Sequence, residues 1–218
     1  MTEYGTNISI GRVYRLVKGM QLPKMSTIKP KSLAVNAENE LLCPNLLKQQ
    51  FNPHAPNQVW VSDITYIKIG KRFCYLCVII DLFARKIIAY GVDHKMNTEF
   101  VLSVFDKAYA ARHMPDNVMF HSDRGTQYTS FEFRQKLDQV NFVQSFSAKA
   151  HPFDNAVAES FFRFLKHEEI NRRSFANIHQ VDLAMFEYMH FYNTQRPHSA
   201  NNGLTPEFKE SLFLHSNL

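Results

Sequence analysis

The 218-residue sequence lacks the features that define several common classes of protein. No apolar run approaches the roughly 18 residues that a membrane span requires. The N-terminus has no basic stretch followed by an apolar one, so no signal peptide is expected. The seven glycines form neither GxxxxGK[ST] nor GxGxxG, the loops that bind nucleotide phosphates. We therefore expect a cytoplasmic protein with no membrane partner and no nucleotide cofactor.

Cysteine is also scarce. Of three cysteines, Cys74 and Cys77 form a CxxC pattern. A zinc or redox site would need a second Cys/His pair or a strand-to-helix turn at the motif, and neither is present. Side chains three apart in a β-strand point to opposite faces, so the two sulfurs cannot readily share a metal. We predict that both cysteines are small buried residues.

Aromatic and basic residues are abundant by contrast. Nineteen Phe, nine Tyr and an apolar content of 45% predict a packed core large enough for one full domain. Residues 1–60 carry seven basic and three acidic side chains, whereas the remaining 158 carry 18 and 17. Nearly all of the net charge of +5 therefore lies in the N-terminal quarter, which is compatible with a polyanionic partner.

A short basic helix is predicted near the N-terminus. Ser9 can begin it and Gly19 can end it, and apolar residues recur on one face between them. Arg12, Arg15 and Lys18 recur every three residues along a neighbouring strip. This strip is either a solvated helix face or a DNA-contacting surface.

The rest of the chain alternates between strand and helix patterns. Five prolines between residues 23 and 56 predict a mostly irregular linker. Runs rich in β-branched and aromatic residues then predict five strands, at VWVSDITYIKI, RFCYLCVIIDLF, KIIAYGV, NVMFHSD and NFVQSFS. Helices are predicted over residues 97–113, 130–140, 156–171 and 181–192. This order predicts an α/β fold with a mixed five-stranded sheet flanked by helices.

Three carboxylates stand at informative positions. Asp63 lies inside an apolar strand, where a charge is costly without a partner or a function. Asp123 ends a later strand, on the usual ligand side of an α/β sheet, and Glu159 lies in the first turns of a helix. Three carboxylates without nearby His or Cys suit two hard cations on a phosphodiester rather than zinc. The alternative is a turn-capping Asp and a solvated Glu that share no site.

The segments around these residues resemble bacterial insertion-sequence transposases of the OrfB type in the IS-three family. Four segments match in order: WVSDITYI, HSDRGTQYTS, HPFDNAVAESFFRFLKHE and FYNTQRPHSANNGLTPEF. The resemblance runs from about Asn7 to Phe208 and includes the family's spacing of Asp, Asp, 35 residues and Glu. It implies an RNase H-like core similar to retroviral integrases, in which Asp63, Asp123 and Glu159 are catalytic and hold two Mg²⁺ or Mn²⁺ ions.

The resemblance also implies an activity and a domain plan. The expected activity is that of a DNA transposase, which nicks element ends and joins the 3′-hydroxyl to target DNA. Residues 1–22 would belong to a partial helix-turn-helix-like segment, 23–56 to the linker, 57–170 to the catalytic core and 171–218 to its C-terminal helical extension. A homo-oligomer on nucleoid DNA is expected, together with a helix-turn-helix from an upstream frame, as partner or fusion.

Several residues are predicted to contact DNA. The family commonly has a basic residue seven positions after the Glu, which is Lys166 here. Asn155 and Arg163 share a helix face with Glu159, at i−4 and i+4. The other predicted contacts are Arg124, Gln127, Tyr128, Arg12, Arg15 and Lys18. Asp154 is predicted to cap the helix that carries Glu159.

Two other functions remain open at this stage. One is a nuclease that uses the same fold only for hydrolysis. The other is a truncated DNA-binding copy, or an inhibitor, that occupies element ends without transposing. Members of the family usually carry more helical sequence before the core, and this favours the truncated copy, whereas the intact carboxylate set favours an enzyme.

Overall fold

A computed structural model of the protein describes residues 9–20, 44–148 and 152–216. Helix α1 (Ile10–Gly19) follows Ser9, whose carbonyl accepts a hydrogen bond from the Arg12 backbone N–H at 2.9 Å. The short basic helix predicted from the sequence is therefore confirmed. The predicted linker lies outside the described residues as far as residue 43.

A five-stranded mixed sheet forms the centre of the fold, in the order β3-β2-β1-β4-β5. Its strands are β1 (Val59–Ile69), β2 (Arg72–Asp81), β3 (Lys86–Asp93), β4 (Met119–Ser122) and β5 (Val143–Phe146). The first three are antiparallel neighbours, and β4 and β5 continue the sheet in parallel from β1. This is the mixed sheet that the sequence predicts.

Helices connect the parallel strands and cover both faces. Helix α2 (Thr98–Ala111) joins β3 to β4, and α3 (Thr126–Thr129) and α4 (Phe131–Gln139) join β4 to β5. The chain continues through α5 (Ala156–Glu168), α6 (Ile178–Thr194) and α7 (Pro206–Ser216). Among the described residues, no helix has the length and apolarity needed to cross a membrane.

Two apolar clusters hold the helices on the sheet. Alternate residues of β1 point to opposite faces, so Val61 joins the cluster under α5 and α6 while Trp60 joins the cluster under α2 and α4. Cys74 and Cys77 are fully buried and fall into different clusters. The prediction that they are buried residues on opposite faces is confirmed.

Two helix boundaries differ from the predicted ones. The helix predicted over residues 156–171 ends at Glu168, and a 3₁₀ turn (Ile170–Arg172) follows. Helix α6 begins earlier than predicted, because the Asn177 side chain caps it by accepting a hydrogen bond from the Gln180 N–H at 3.0 Å.

A buried ion-pair network fastens the C-terminal helix to the sheet. Arg112, at the end of α2, donates to both carboxylate oxygens of Glu210 in α7, at 2.5 and 2.7 Å, and to Asp81 at 3.1 Å. Asp81, which is fully buried, also accepts the Phe83 N–H at 3.0 Å, as a turn-capping residue would. Burial alone would raise the pKa of Glu210, but the hydrogen bonds and charges of Arg112 and Lys86 together outweigh it and hold that pKa below its ordinary value.

We expect Arg112→Met to lower the free energy of unfolding by about 3 kcal/mol, because it leaves buried Asp81 without its cation and Glu210 with only Lys86, at 3.4 Å. Urea denaturation at neutral pH measures the change. Lys107→Met is the matched control, since Lys107 is an exposed residue of the same helix, and it should shift the free energy by less than about 0.5 kcal/mol. Equal effects of the two substitutions would show that the network contributes nothing.

Candidate active site

The pairing of β1 with β4 brings two of the three predicted carboxylates together. The parallel register aligns Val61 with His121, so Asp63 and Asp123 lie level with each other two residues further on. Asp63 is partly buried and accepts the Ile64 N–H at 2.8 Å. Asp123 is exposed just beyond β4.

The turn after Asp123 folds back over its carboxylate. The N–H of Gly125 donates to Asp123 Oδ1 at 2.9 Å. A Cβ on residue 125 would lie 3.0 Å from that same oxygen, so any larger residue would push the carboxylate aside. The glycine therefore fixes the position of Asp123.

Glu159 comes from the first turn of α5 and is exposed. The helix packs on the sheet through Ala158, Phe161 and Leu165, which are buried in the cluster that includes Val61. At its start the Asn155 amide donates to the backbone carbonyl of Ser62, next to Asp63, at 3.4 Å. Because one face of α5 is buried, Glu159 lies on the side of the helix that faces the end of the sheet where Asp63 and Asp123 are located.

The three carboxylates influence one another. Burial, together with the charges of Asp123 and Glu159, raises the pKa of Asp63 to about 8, against a smaller opposite effect of the Ile64 hydrogen bond and of Lys166. The site therefore carries more negative charge than its surroundings balance.

A divalent cation would supply the missing positive charge, and the oxygen-only donor set is the one that Mg²⁺ or Mn²⁺ prefers. Asn155 Oδ1 adds a buried oxygen with no hydrogen-bond partner among the described residues. In the described part of the chain, no three His, Cys, Asp or Glu side chains lie close enough as they stand to hold one ion. Glu159 must therefore turn inward from its exposed position if all three carboxylates are to act as ligands.

Three of the residues predicted to contact DNA have buried side chains. Tyr128 is 1% exposed and its hydroxyl lies 2.7 Å from Ser62 Oγ. Gln127 is 8% exposed and donates to the Met96 carbonyl, and Asn155 is 6% exposed. Tyr128 and Asn155 both contact Ser62, the neighbour of Asp63, through the Ser62 hydroxyl and carbonyl respectively.

The other residues that are predicted to contact DNA are partly or fully exposed. Arg163 is exposed and bonds Ser160 Oγ at 3.3 Å rather than Glu159. Arg124 is partly exposed, and its Nε donates to the Ser147 carbonyl at 3.0 Å. Lys166 is partly exposed, with Nζ 4.8 Å from the centroid of the Tyr66 ring. Arg12, Arg15 and Lys18 are exposed on α1.

Asp154 does not cap α5, so that prediction is wrong. The N-cap position is occupied by Asn155, and Asp154 is 3% exposed within the preceding 3₁₀ turn (Pro152–Asn155). Its carboxylate instead accepts hydrogen bonds from the side chains of Asn45 and Gln49 and from the backbone of Ala148, at 2.8–3.0 Å.

Residues 44–51, which we call the strap, are thereby fixed beside the site. Ser145 Oγ on β5 accepts the backbone N–H groups of Leu46 and Leu47 and lies 2.9 Å from His121 Nδ1. Burial lowers the pKa of His121 to about 4, so the ring is neutral at pH 7 and bonds hydroxyls rather than a carboxylate. No sequence pattern predicts the contacts between the strap and Ser145, because these residues lie about a hundred positions apart in the chain.

The order and pairing of the strands, with helices on both faces, define an RNase H-like fold. The integrase core domain family matches residues 53–152, and a second integrase core domain family matches residues 141–206. In solved structures, the chain is similar to the HTLV-2 integrase catalytic core domain in complex with magnesium, with a TM-score of 0.57, 17% identity and coverage of 73% of this chain and 99% of that one. It is also similar to the Mos1 transposase catalytic domain, with a TM-score of 0.53, 16% identity and coverage of 61% and 70%.

Sequence relatives identify the family to which this chain belongs. The chain is 38% identical to the transposase for insertion sequence element IS904 of Lactococcus lactis, over 75% of this chain and 65% of that protein. It is 33% identical to the insertion element IS600 31 kDa protein of Shigella sonnei, over 94% and 76%, and 38% identical to transposase InsF of Escherichia coli, over 75% and 57%. The chain belongs to the family of insertion-sequence transposases with an integrase core domain.

The raised pKa of Asp63 predicts a pH-dependent stability in metal-free buffer. The folded chain binds this proton more tightly than the unfolded chain does, so the stabilisation is present at low pH and is lost as the pH rises through about 8. We expect Asp63→Asn to remove this loss, about 4 kcal/mol between about pH 5 and pH 9. Urea unfolding across that range measures it. Asp116→Asn, at an exposed loop position, should retain the wild-type slope.

The hydrogen bonds of Asp154 predict a second effect on stability. Asp154→Asn replaces an acceptor of three hydrogen bonds with a group that is itself partly a donor, so we expect a loss of about 2 kcal/mol. Hydrogen exchange should accelerate at Leu46 and Leu47 before the core strands exchange. Unchanged exchange at these two amides would show that the strap is held without Asp154.

Proposed function

We propose that the chain is a DNA transposase, a metal-dependent polynucleotidyl transferase that nicks DNA at insertion-sequence ends and joins the 3′-hydroxyl to target DNA. The observation that carries the proposal is the register of β1 against β4, which sets Asp63 level with Asp123, with Glu159 close enough to act on the ionisation of Asp63. Membership of the transposase family supports the same reaction class.

Asp63, Asp123 and Glu159 would hold two Mg²⁺ or Mn²⁺ ions, which when bound activate the attacking oxygen and stabilise the leaving one. The protein's own share of catalysis is positioning and electrostatics. Asp63 has little freedom because it lies within a paired strand, and Gly125 fixes Asp123 through its N–H. Glu159 is the movable member, which allows the site to complete itself when DNA and metal bind.

The accessible basic residues around the site would hold the substrate. Lys166 and Arg163 lie on the helix of Glu159 and Arg124 follows Asp123, so each could contact phosphates that flank the reacting one. Arg12, Arg15 and Lys18 on α1 would bind DNA further from the chemistry.

The chain spans 57–76% of the lengths of the three curated relatives described above, so the activity of a whole transposase is itself part of the proposal. We propose that residues 1–22 form part of a helix-turn-helix-like segment, supplemented by an upstream-frame partner or fusion, and that the protein acts on DNA as a homo-oligomer. Two element ends must be handled together, and a second subunit would supply the second site.

The triad is tested with labelled element-end DNA, target DNA and Mn²⁺ or Mg²⁺. We expect Asp63→Asn, Asp123→Asn and Glu159→Gln each to reduce nicking and strand transfer at least about a hundredfold while DNA binding persists. Asp116→Asn and Glu132→Gln remove exposed carboxylates elsewhere and should leave both reactions unchanged.

The same assay distinguishes the other functions. Strand transfer that persists in the Asp123→Asn variant would refute the proposed triad. Hydrolysis without joining by the wild-type chain would identify a nuclease. Protection of element ends without any cleavage, in the wild type with metal present, would identify a DNA-binding copy.

A further inference from the structure

The hairpin formed by β1 and β2 carries only positive charge. Between residues 64 and 80 the charged side chains are Lys68, Lys71 and Arg72. All three are exposed, and within the described ranges none of them forms an ion pair. Charged surface residues of globular proteins usually occur with both signs interspersed, so an all-basic projection is suited to an anionic partner.

One face of this hairpin combines the charge with aromatic rings. Tyr66 pairs with Tyr75 and Lys68 pairs with Phe73 across the two strands, so these four side chains share a face. The rings of Tyr66 and Phe73 meet edge to face, with centroids 5.5 Å apart, and both are partly exposed. We call these four residues, with Lys71 and Arg72 at the tip, the hairpin platform.

The opposite face of the hairpin is buried, which makes the platform rigid. Ile67, Ile69 and Cys74 point into the apolar cluster beneath α5 and α6. At the tip the N–H of Gly70 donates to the Phe175 carbonyl at 3.2 Å. Gly70 has a φ of +53°, which glycine adopts without strain. A partner would therefore meet a preformed surface.

Lys166 connects the platform to the active site. Tyr66 follows Asp63 by three residues on the same strand, about 10 Å along it, so their side chains point to opposite faces of the sheet. Lys166, on the helix that carries Glu159, has its charge close enough to Asp63 to lower that carboxyl's pKa and its Nζ 4.8 Å from the centroid of the Tyr66 ring. A DNA strand that leaves the carboxylates would therefore pass Lys166 at the edge of β1 before it reaches Tyr66 and Phe73.

We propose that the hairpin platform binds the DNA strand that runs out of the active site, with bases stacked on Tyr66 and Phe73 and phosphates held by Lys68, Lys71 and Arg72. The inference rests on the proposed function, because that function places DNA at the carboxylates. Basic residues interleaved with exposed aromatic rings are the usual means of holding unpaired nucleotides. The edge-to-face rings of Tyr66 and Phe73 offer the bases of such nucleotides a surface for stacking, which lysine side chains alone would not provide.

The charge contribution is tested with a fluorescein-labelled duplex that carries a single-stranded extension, with Ca²⁺ in place of Mg²⁺. By fluorescence anisotropy, Lys68→Gln/Lys71→Gln should weaken binding about tenfold and reduce the slope of log affinity against log salt by about 1.4, the value for two contacts to a single strand. Lys107→Gln/Lys136→Gln removes two positive charges from α2 and α4, where Lys136 is partly exposed and pairs with Asp106 at 2.8 Å, and should change neither quantity. Equal losses in the two double variants, or no loss in either, would overturn the proposal.

The aromatic contribution is tested with 2-aminopurine in the single-stranded extension. The wild type and Tyr66→Phe should quench its fluorescence by stacking, and Tyr66→Leu should not, with about a tenfold loss of affinity. Circular dichroism melting confirms that each variant is folded. If Tyr66→Leu still quenches the fluorescence, the proposed stacking of bases on the Tyr66 ring is wrong.

These binding measurements are independent of catalysis. If the wild type cleaves DNA through the triad but the platform variants bind normally, the platform is wrong and the proposed function stands. If the wild type binds through the platform yet neither nicks nor joins DNA, the proposed function is wrong and the platform stands as a DNA-binding surface.

Discussion

The short parallel pairing between β1 and β4 is the constraint on which the site depends. It extends over three residue pairs and stops at Val61 and His121. Its register sets Asp63 level with Asp123, and its early end leaves the edge of β1, among the described residues, without a β-pairing partner from Asp63 until Ile69 bridges to Phe175. Asn155, at the start of α5, donates to the Ser62 carbonyl beside this edge, and Lys166 reaches the ring of Tyr66. A longer β4 would cover the same edge and exclude them.

Holding carboxylates at this edge opposes folding, and the rest of the protein compensates. Apolar clusters on both faces of the sheet supply the stabilisation, and buried hydrogen bonds fix the elements that carry charge. Ser62, beside Asp63, is bonded to the Tyr128 hydroxyl and to the Asn155 amide through its hydroxyl and its carbonyl respectively. These two hydrogen bonds hold β1 in place next to Asp63, the residue whose charge is most costly to bury at this position.

Much of the fold follows from local sequence patterns. The five buried residues of α2 are those that helical periodicity predicts, and Asp63 stands out because a charge interrupts an apolar strand. The burial of Tyr128 and the role of Asp154 could not be predicted in this way. Tyr128 bonds a serine 66 residues away and Asp154 bonds side chains more than 100 residues away, so only tertiary structure determines their partners.

The strap fixes one end of the segment that joins the basic helix α1 to the rest of the protein. Residue 44 is held against β5, since the Pro44 carbonyl accepts the Phe146 N–H at 3.0 Å. The 23 residues from 21 to 43 can span at most about 80 Å even when fully extended. At about 3.4 Å per base pair, this covers no more than roughly 24 base pairs. A DNA sequence bound by α1, as proposed above, would therefore lie within that interval of the strap of the same subunit.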